Sequence, residues 1–183
     1  PAGGILSGTG FLTDLSGTLK NNVTAARPIA MFGSVTSRMT DMVGGARGAV
    51  WLKLREIIAD ARYHQKNQNR IARGEARELD LSPLQYQAMI PLLNKKIPLV
   101  LEAHRASDIL RAVEFAQRQS IRLIISGGTE AWMVAPQLAS AGVPVIVHPS
   151  HQSPWSFDAL GARDDLAAQL QRRGVTILIS AGG

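Results

Sequence analysis

Cysteine is absent from this chain of 183 residues, and aromatic residues make up only 5% of it. Without cysteine the chain has no disulfide, thiolate nucleophile or cysteine-bound zinc, so histidine and carboxylates are its only strong metal ligands. No apolar run approaches the roughly 18 residues of a membrane span, and no basic start followed by an apolar stretch marks a signal peptide. We therefore expect a cytoplasmic protein with no membrane partner.

Basic residues outnumber acidic ones by 20 to 14, which gives a net charge of +6. The densest basic stretch, residues 53–77, interleaves Lys and Arg with Glu, Asp and apolar positions. A nucleic-acid-binding helix is one interpretation of this stretch. No aromatic stacking set or known motif accompanies the charge, however, so a solvated helix surface is the interpretation that we favour, with no nucleic-acid partner.

Strand-like apolar segments alternate with amphipathic stretches through the second half of the chain. The strand-like segments are residues 99–104, 123–128, 145–149 and 176–182. The amphipathic stretches are residues 108–119, 129–141 and 164–173. This alternation predicts a parallel α/β sheet or barrel, and strands that are apolar along their whole length belong where both faces are covered.

The first half of the chain is less regular. Residues 1–40 are rich in Gly, Ser and Thr and predict a loop or small hairpin with an extended segment near residues 28–32. Residues 41–95 predict a helical segment with a second helix starting at Ser82. We expect one domain over the whole chain, with four β/α units in residues 96–183.

Chemistry in parallel α/β folds lies at the carboxyl ends of the strands, and His104 and His148 follow two of the predicted strands there. His104 is a candidate metal ligand or substrate contact, and its alternative is a ring satisfied by neighbouring backbone. His148 and His151 are further candidate metal ligands, since imidazole binds several metals. Their competing interpretation is a loop histidine that faces solvent.

Four motifs in the second half of the chain resemble one known family. They are His-Arg-Ala-Ser-Asp-Ile at residues 104–109, Gly-Gly-Thr-Glu-Ala-Trp at 127–132, Gly-Val-Pro-Val-Ile-Val at 142–147 and Phe-Asp-Ala-Leu-Gly-Ala-Arg at 157–163. As an ordered set they resemble the imidazolonepropionase-related branch of the amidohydrolase superfamily. The resemblance extends from about residue 97 to the end of the chain.

The resemblance implies a metal-dependent hydrolase on a (β/α)₈ TIM barrel, which cleaves a C–N bond of a small molecule such as a cyclic amide. A divalent metal such as zinc would lower the pKa of the attacking water, and a carboxylate would handle the proton. His104 matches the family's metal-ligand histidine at the end of its fifth strand. Gly127 stands where many relatives carry a second such histidine, and His148 and His151 are the candidates to replace it because both lie beside the active face.

Four further positions are candidate substrate contacts, each with a structural alternative. Arg105 would hold an anionic group, or form an ion pair at a helix. Gly127 and Gly128 would let a ligand approach the backbone, or permit a tight turn. Glu130 would serve acid–base chemistry, or stabilise the helix that it opens.

A complete barrel has about 250 residues and eight strands, whereas this chain predicts four to five strand–helix units and has no His-x-His pair. It begins at Pro1 without Met and ends at Gly183, so we expect a middle-to-late fragment of a larger enzyme. The fragment would lack a complete site, be inactive alone and bind no metal, and would associate with the remaining barrel or with a second copy. The alternative is a non-catalytic α/β module that binds a small ligand.

Overall fold

The computed structural model describes residues 4–11, 27–149 and 153–180. Six strands form one sheet in chain order. The strands are β1 (Leu6–Gly10), β2 (Ala30–Ser34), β3 (Leu99–Ala103), β4 (Leu123–Gly127), β5 (Val145–Val147) and β6 (Ile177–Ile179). β1 pairs antiparallel with β2, and all the other pairs are parallel.

Within the described ranges, six α-helices connect or flank these strands. They are α1 (Arg47–Lys66), α2 (Gln68–Ala72), α3 (Pro83–Leu93), α4 (Ala106–Gln119), α5 (Ala135–Ala141) and α6 (Leu166–Arg172). Short 3₁₀ helices span Ser37–Val43, Ala131–Val134 and Phe157–Ala159. Throughout the described ranges, no helix combines the length and apolar character that crossing a membrane requires.

The strand order identifies the architecture. Parallel strands that neighbour one another in chain order are joined by crossovers of the same hand, so the connecting helices all lie on one face of the sheet. A doubly wound sheet would instead reverse its strand order and place helices on both faces. The prediction of a partial TIM-barrel-like α/β fold is therefore confirmed, with β2 to β6 as five successive parallel strands.

One predicted helix is wrong in part. Residues 129–141 do not form one helix, because Pro136 fits only in a first turn, and the α-helix starts at Ala135 after a 3₁₀ turn. The pair Gly44 and Gly45 predicts a break or a delay at the start of the helical stretch from about residue 40, and this is confirmed. Both glycines adopt positive φ angles, of 84° and 83°, where the 3₁₀ helix ends, and α1 starts at Arg47.

The second helix starts where its sequence predicts. The hydroxyl of Ser82 accepts a hydrogen bond from the backbone of Gln85, and the Gln85 side chain accepts one from the backbone of Ser82. This capping box, with Pro83 in the first turn, satisfies N–H groups that a helix start would otherwise leave unpaired. The extended segment predicted near residues 28–32 is part of β2, while residues 12–26 of the predicted loop or hairpin lie outside the described residues.

The two faces of the sheet differ in what covers them. On one face Leu101, Ile125 and Val145 are fully buried against the helices in the main core cluster. On the other face Phe32 is 42% exposed and Leu178 is 45% exposed. We call this second side the open face. It corresponds to the interior of a barrel, which the described strands enclose only in part.

Leu101→Ala tests which face carries the core. We expect it to lower the free energy of unfolding by about 2–5 kcal/mol, because it leaves a cavity against the helices. Phe32→Ala on the open face should cost less although it removes a larger side chain, because Phe32 is already 42% exposed whereas Leu101 is fully buried. Urea unfolding with an unchanged m-value measures both. Equal losses would contradict a core confined to the helical side.

Candidate active site

The register of the parallel strands gathers polar side chains on the open face near the strand ends. Ser34, Glu102 and Ser126 are paired across β2, β3 and β4. Paired residues of adjacent parallel strands project to the same side of the sheet, so these three side chains form a row. His104 and His148 follow β3 and β5 at the same edge.

His104 is buried, with 4% of its surface exposed. Its Nδ1 shares a hydrogen bond of 2.7 Å with Thr129 Oγ1. Its Nε2 is buried and has no hydrogen-bond partner among the described residues, and Glu102 Oε1 lies 3.5 Å away. One ring nitrogen is therefore held by the protein, and the other is directed towards the carboxylate of the polar row.

Glu102 is the only carboxylate in this row of paired residues. Its interaction with the His104 ring lowers the pKa of the Glu102 carboxyl, against the opposing effect of partial burial. The Ser34 hydroxyl and the positive charge of Arg38 act in the same direction. Glu102 is therefore ionised beside an imidazole, and its carboxylate is free of a proton that it could otherwise carry.

Two further contacts involve side chains next to the polar row and His104. Ser126 Oγ and His148 Nε2 share a hydrogen bond of 3.2 Å. The Trp155 ring packs edge-on against His104, with 5.3 Å between ring centroids. His104 and His148 thus belong to one surface, although they contact different partners. His151 lies outside the described residues.

The last residue of β4 and the residue that follows it are glycines with positive φ angles, of 83° at Gly127 and 56° at Gly128. A β-carbon at Gly127 would meet the His104 ring, and one at Gly128 would lie 2.9 Å from a methyl of Val145. Both positions therefore favour glycine for steric reasons. Their role as substrate contacts stays a prediction.

Glu130 and Arg105 are already engaged within the protein. Glu130 Oε2 accepts a 2.9 Å hydrogen bond from the backbone N–H of Ala106, at the start of α4. Arg105 Nε lies 2.9 Å from Asp158 Oδ1. The Arg105 contact is the ion pair named in its structural alternative, whereas the Glu130 carboxylate contacts the start of α4 and not the helical turn that Glu130 itself opens. Their substrate-binding role stays a prediction.

A buried ion network supports the loop beside the site. Arg47 contacts Asp108 and Asp158, and the second of these contacts measures 2.5 Å. Asp158 Oδ2 also accepts a 2.6 Å hydrogen bond from the backbone of Ser37. Burial raises the pKa of Asp158, but the hydrogen bonds from Ser37 and Arg47 outweigh it and hold that pKa below its ordinary value.

The described residues do not complete a metal site. Within residues 4–11, 27–149 and 153–180, no three His, Asp or Glu side chains are grouped so as to hold an ion. His104 Nε2 nevertheless fits the role of a single ligand, because a metal-bound histidine commonly has its other ring nitrogen held by a hydrogen bond. Thr129 supplies such a bond here.

The basic stretch at residues 53–77 forms ion pairs within the chain. Lys53 Nζ lies 2.5 Å from Asp80 Oδ2, and Arg77 Nη2 lies 2.5 Å from Asp60 Oδ1. Arg62 donates to the backbone carbonyl of Gln119. These contacts are those of a solvated helix surface. The absence of a nucleic-acid partner stays a prediction.

Glu102, Ser126 and Thr129 are not among the site residues predicted from the sequence. Glu102 and Ser126 each stand two positions before a strand-end group, so the alternation of side chains along a strand places them on the open face. That signal was available in the sequence. The contact between Thr129 and His104 depends on the path of the turn after β4, which has no comparable sequence signal.

Comparisons with known proteins bear on this fold. No protein-family model and no curated protein matches the sequence. Among solved structures, an amidohydrolase from Thermotoga maritima MSB8 is similar, with a TM-score of 0.82 and 23% sequence identity. The match covers 98% of this chain and 48% of that protein, so the chain spans about half its length. The chain therefore has an amidohydrolase-like fold.

Thr129→Val tests the hydrogen bond to His104. The substitution keeps the shape of the side chain but leaves buried His104 Nδ1 unpaired, so we expect a loss of about 1–3 kcal/mol in the free energy of unfolding. Chemical denaturation measures it, with Thr40→Val at an exposed position as the matched control. If both variants lose the same stability, the buried bond contributes nothing of its own.

Asp158→Asn tests the ion network and its dependence on pH. We expect a loss of about 3 kcal/mol at pH 7, because a buried charge pair is broken. The folded pKa of Asp158 lies below the unfolded value of about 3.9. Its contribution is therefore present above pH about 4 and lost as pH falls through the folded pKa.

The difference between wild type and Asp158→Asn should accordingly shrink in acid. Thermal unfolding from pH 7 to pH 2.5 measures this, with exposed Asp164→Asn as control. A difference that stays constant over this pH range would contradict the assignment.

Proposed function

We propose that this chain forms one side of the barrel of a hydrolase that cleaves a C–N bond in a small molecule, such as a cyclic amide. The observation that carries the proposal is the cluster of Glu102, His104 and Ser126 at the strand ends of an amidohydrolase-like sheet. Strand carboxyl ends are where barrels of this type place their catalytic groups. The four motifs that resemble the imidazolonepropionase-related branch support the same reaction class.

A divalent metal such as zinc belongs to this proposal, with His104 as the ligand that this chain contributes. The metal would supply a bound water with a pKa low enough to act as a nucleophile at neutral pH. His148 and His151 are the candidates for a further ligand within this chain. The other ligands would come from the rest of the barrel. The buried Nε2 of His104, which has no hydrogen-bond partner among the described residues, supports its assignment as a ligand.

The chain's own residues would divide the remaining work. Glu102 would accept a proton and return it to the leaving nitrogen, since its carboxylate is held ionised beside the His104 ring. Thr129 would hold the ring in one orientation. Ser126 would offer a hydrogen bond to a carbonyl or amide group of the substrate.

The chain on its own would be inactive, and its open face would be covered by the remaining barrel or by a second copy. Phe32 and Leu178 support this, because apolar side chains on a sheet face usually pack against another element or a partner, and these two are partly exposed. The β6 edge is also unpaired within the described residues, and Ile179 there is 69% exposed. Parallel pairing with a further strand would satisfy that edge.

A non-catalytic module that binds a small ligand is the second candidate. It is favoured by one observation, namely that the described residues group no three metal-binding side chains. Such a module would use the same strand-end groups to bind a ligand. It would need neither a metal nor a partner strand.

His104→Ala in the full-length protein that contains this chain separates the two candidates. For the hydrolase we expect the variant to lose zinc affinity by more than the roughly 10–100-fold that removal of a supporting residue causes. It should also lose hydrolysis of a panel of cyclic amides. Metal analysis after dialysis and an assay of ring opening measure the two effects.

His64→Ala serves as the control, because His64 is another buried histidine but stacks on Tyr86, away from the strand ends. It should retain zinc and activity. If the wild-type protein binds no zinc and opens no ring, while a small ligand still stabilises it through His104, the binding module is the correct function.

A further inference from the structure

The His104 ring and the backbone of Gly127 share a very small volume where β3 and β4 end. A β-carbon on Gly127 would lie 2.9 Å from His104 Nδ1 and 3.2 Å from Nε2, and nearer still to Cε1. Real β-carbons essentially never come within 3.0 Å of a heavy atom outside their own residue and its chain neighbours. Any side chain at position 127 would therefore require the ring or the backbone to move.

The ring has little room to yield, because other groups surround it. Thr129 holds Nδ1 through a hydrogen bond of 2.7 Å, and Trp155 packs edge-on at 5.3 Å between centroids. Glu102 Oε1 lies 3.5 Å from Nε2. With 4% of its surface exposed, His104 cannot turn outward without breaking these contacts.

We propose that Gly127 is a positioning residue, whose missing side chain creates the seat for the His104 imidazole. This strand-end pair then presents one imidazole and excludes a second side chain at position 127. A metal or substrate would meet a single nitrogen, Nε2, from β3 and β4. The importance of this seat for catalysis rests on the proposed function, whereas the contact between Gly127 and His104 does not.

A double-mutant cycle tests the seat. Gly127→Ala in the whole chain should lower Tm by about 5 °C or more, because overpacking adds to the strain of a positive φ angle. When His104→Ala removes the ring, the same substitution should cost only the strain of the φ angle. The difference between the two backgrounds measures the contact itself.

Two other glycines serve as matched controls. Gly142 has a positive φ of 62° but open space around its β-carbon position, so Gly142→Ala measures the strain alone. Gly128 is crowded by Val145 rather than by His104, so Gly128→Ala measures crowding elsewhere. Neither cost should change when His104 is replaced. If Gly127→Ala also costs the same in both backgrounds, the proposal is wrong.

Folding failure is informative too. If Gly127→Ala does not fold, the proposal requires that the double variant with His104→Ala folds again. A double variant that stays unfolded while His104→Ala alone folds overturns it.

The NMR signals of the imidazole nitrogens of His104 provide a second test. They should not shift if Gly127 has only a structural role away from this ring. We expect Gly127→Ala to shift the ¹⁵N signals of this ring, because the hydrogen bond to Thr129 is disturbed, and Gly142→Ala to leave them in place. Unshifted signals in Gly127→Ala would contradict the seat. Failure of the proposed hydrolysis would leave the cycle and these shifts unchanged, so the two hypotheses can fail separately.

Discussion

Parallel pairing of adjacent strands is the constraint on which the functional surface depends. Once β2, β3 and β4 align Ser34, Glu102 and Ser126, side-chain alternation sends all three to the open face, while Leu101 and Ile125 go to the helices. A slip of one residue in β3 would bury Glu102 among apolar side chains and expose Leu101. Because burying an unpaired carboxylate is so costly, the apolar core and the polar row each enforce the same register.

The ion network around Arg47 is a second constraint on the fold. Asp108 and Asp158 are almost completely buried, and neither can remain charged there without a partner. Arg47 reaches both, so the start of α1 is tied to the start of α4 and to the loop before α6. That loop carries Trp155, which contacts His104. Stability and site geometry are thus coupled through charges that take no direct part in the proposed chemistry.

The sequence predicts the part of the fold that local pattern controls. Four apolar segments with helical stretches between them predict β3 to β6, since this alternation is the pattern of a parallel α/β sheet. β1 has no such signal, because Leu6–Gly10 is largely exposed and contains two glycines. The same limit applies to the site. His104 is visible at a strand end, whereas its partners Thr129 and Trp155 are brought to it by turns whose paths depend on the folded structure.

Gly127 has one meaning in the sequence motifs and another in the structure. The motifs that resemble the imidazolonepropionase-related branch place this glycine where many relatives carry a second histidine. In the structure, the His104 imidazole occupies the volume that a side chain at position 127 would need. Under the proposed function, the absence of a second ligand at position 127 and the tight orientation of His104 are therefore one structural feature. The ends of β3 and β4 then present one well-held nitrogen next to a carboxylate, and a bound metal would take its further ligands from other strands.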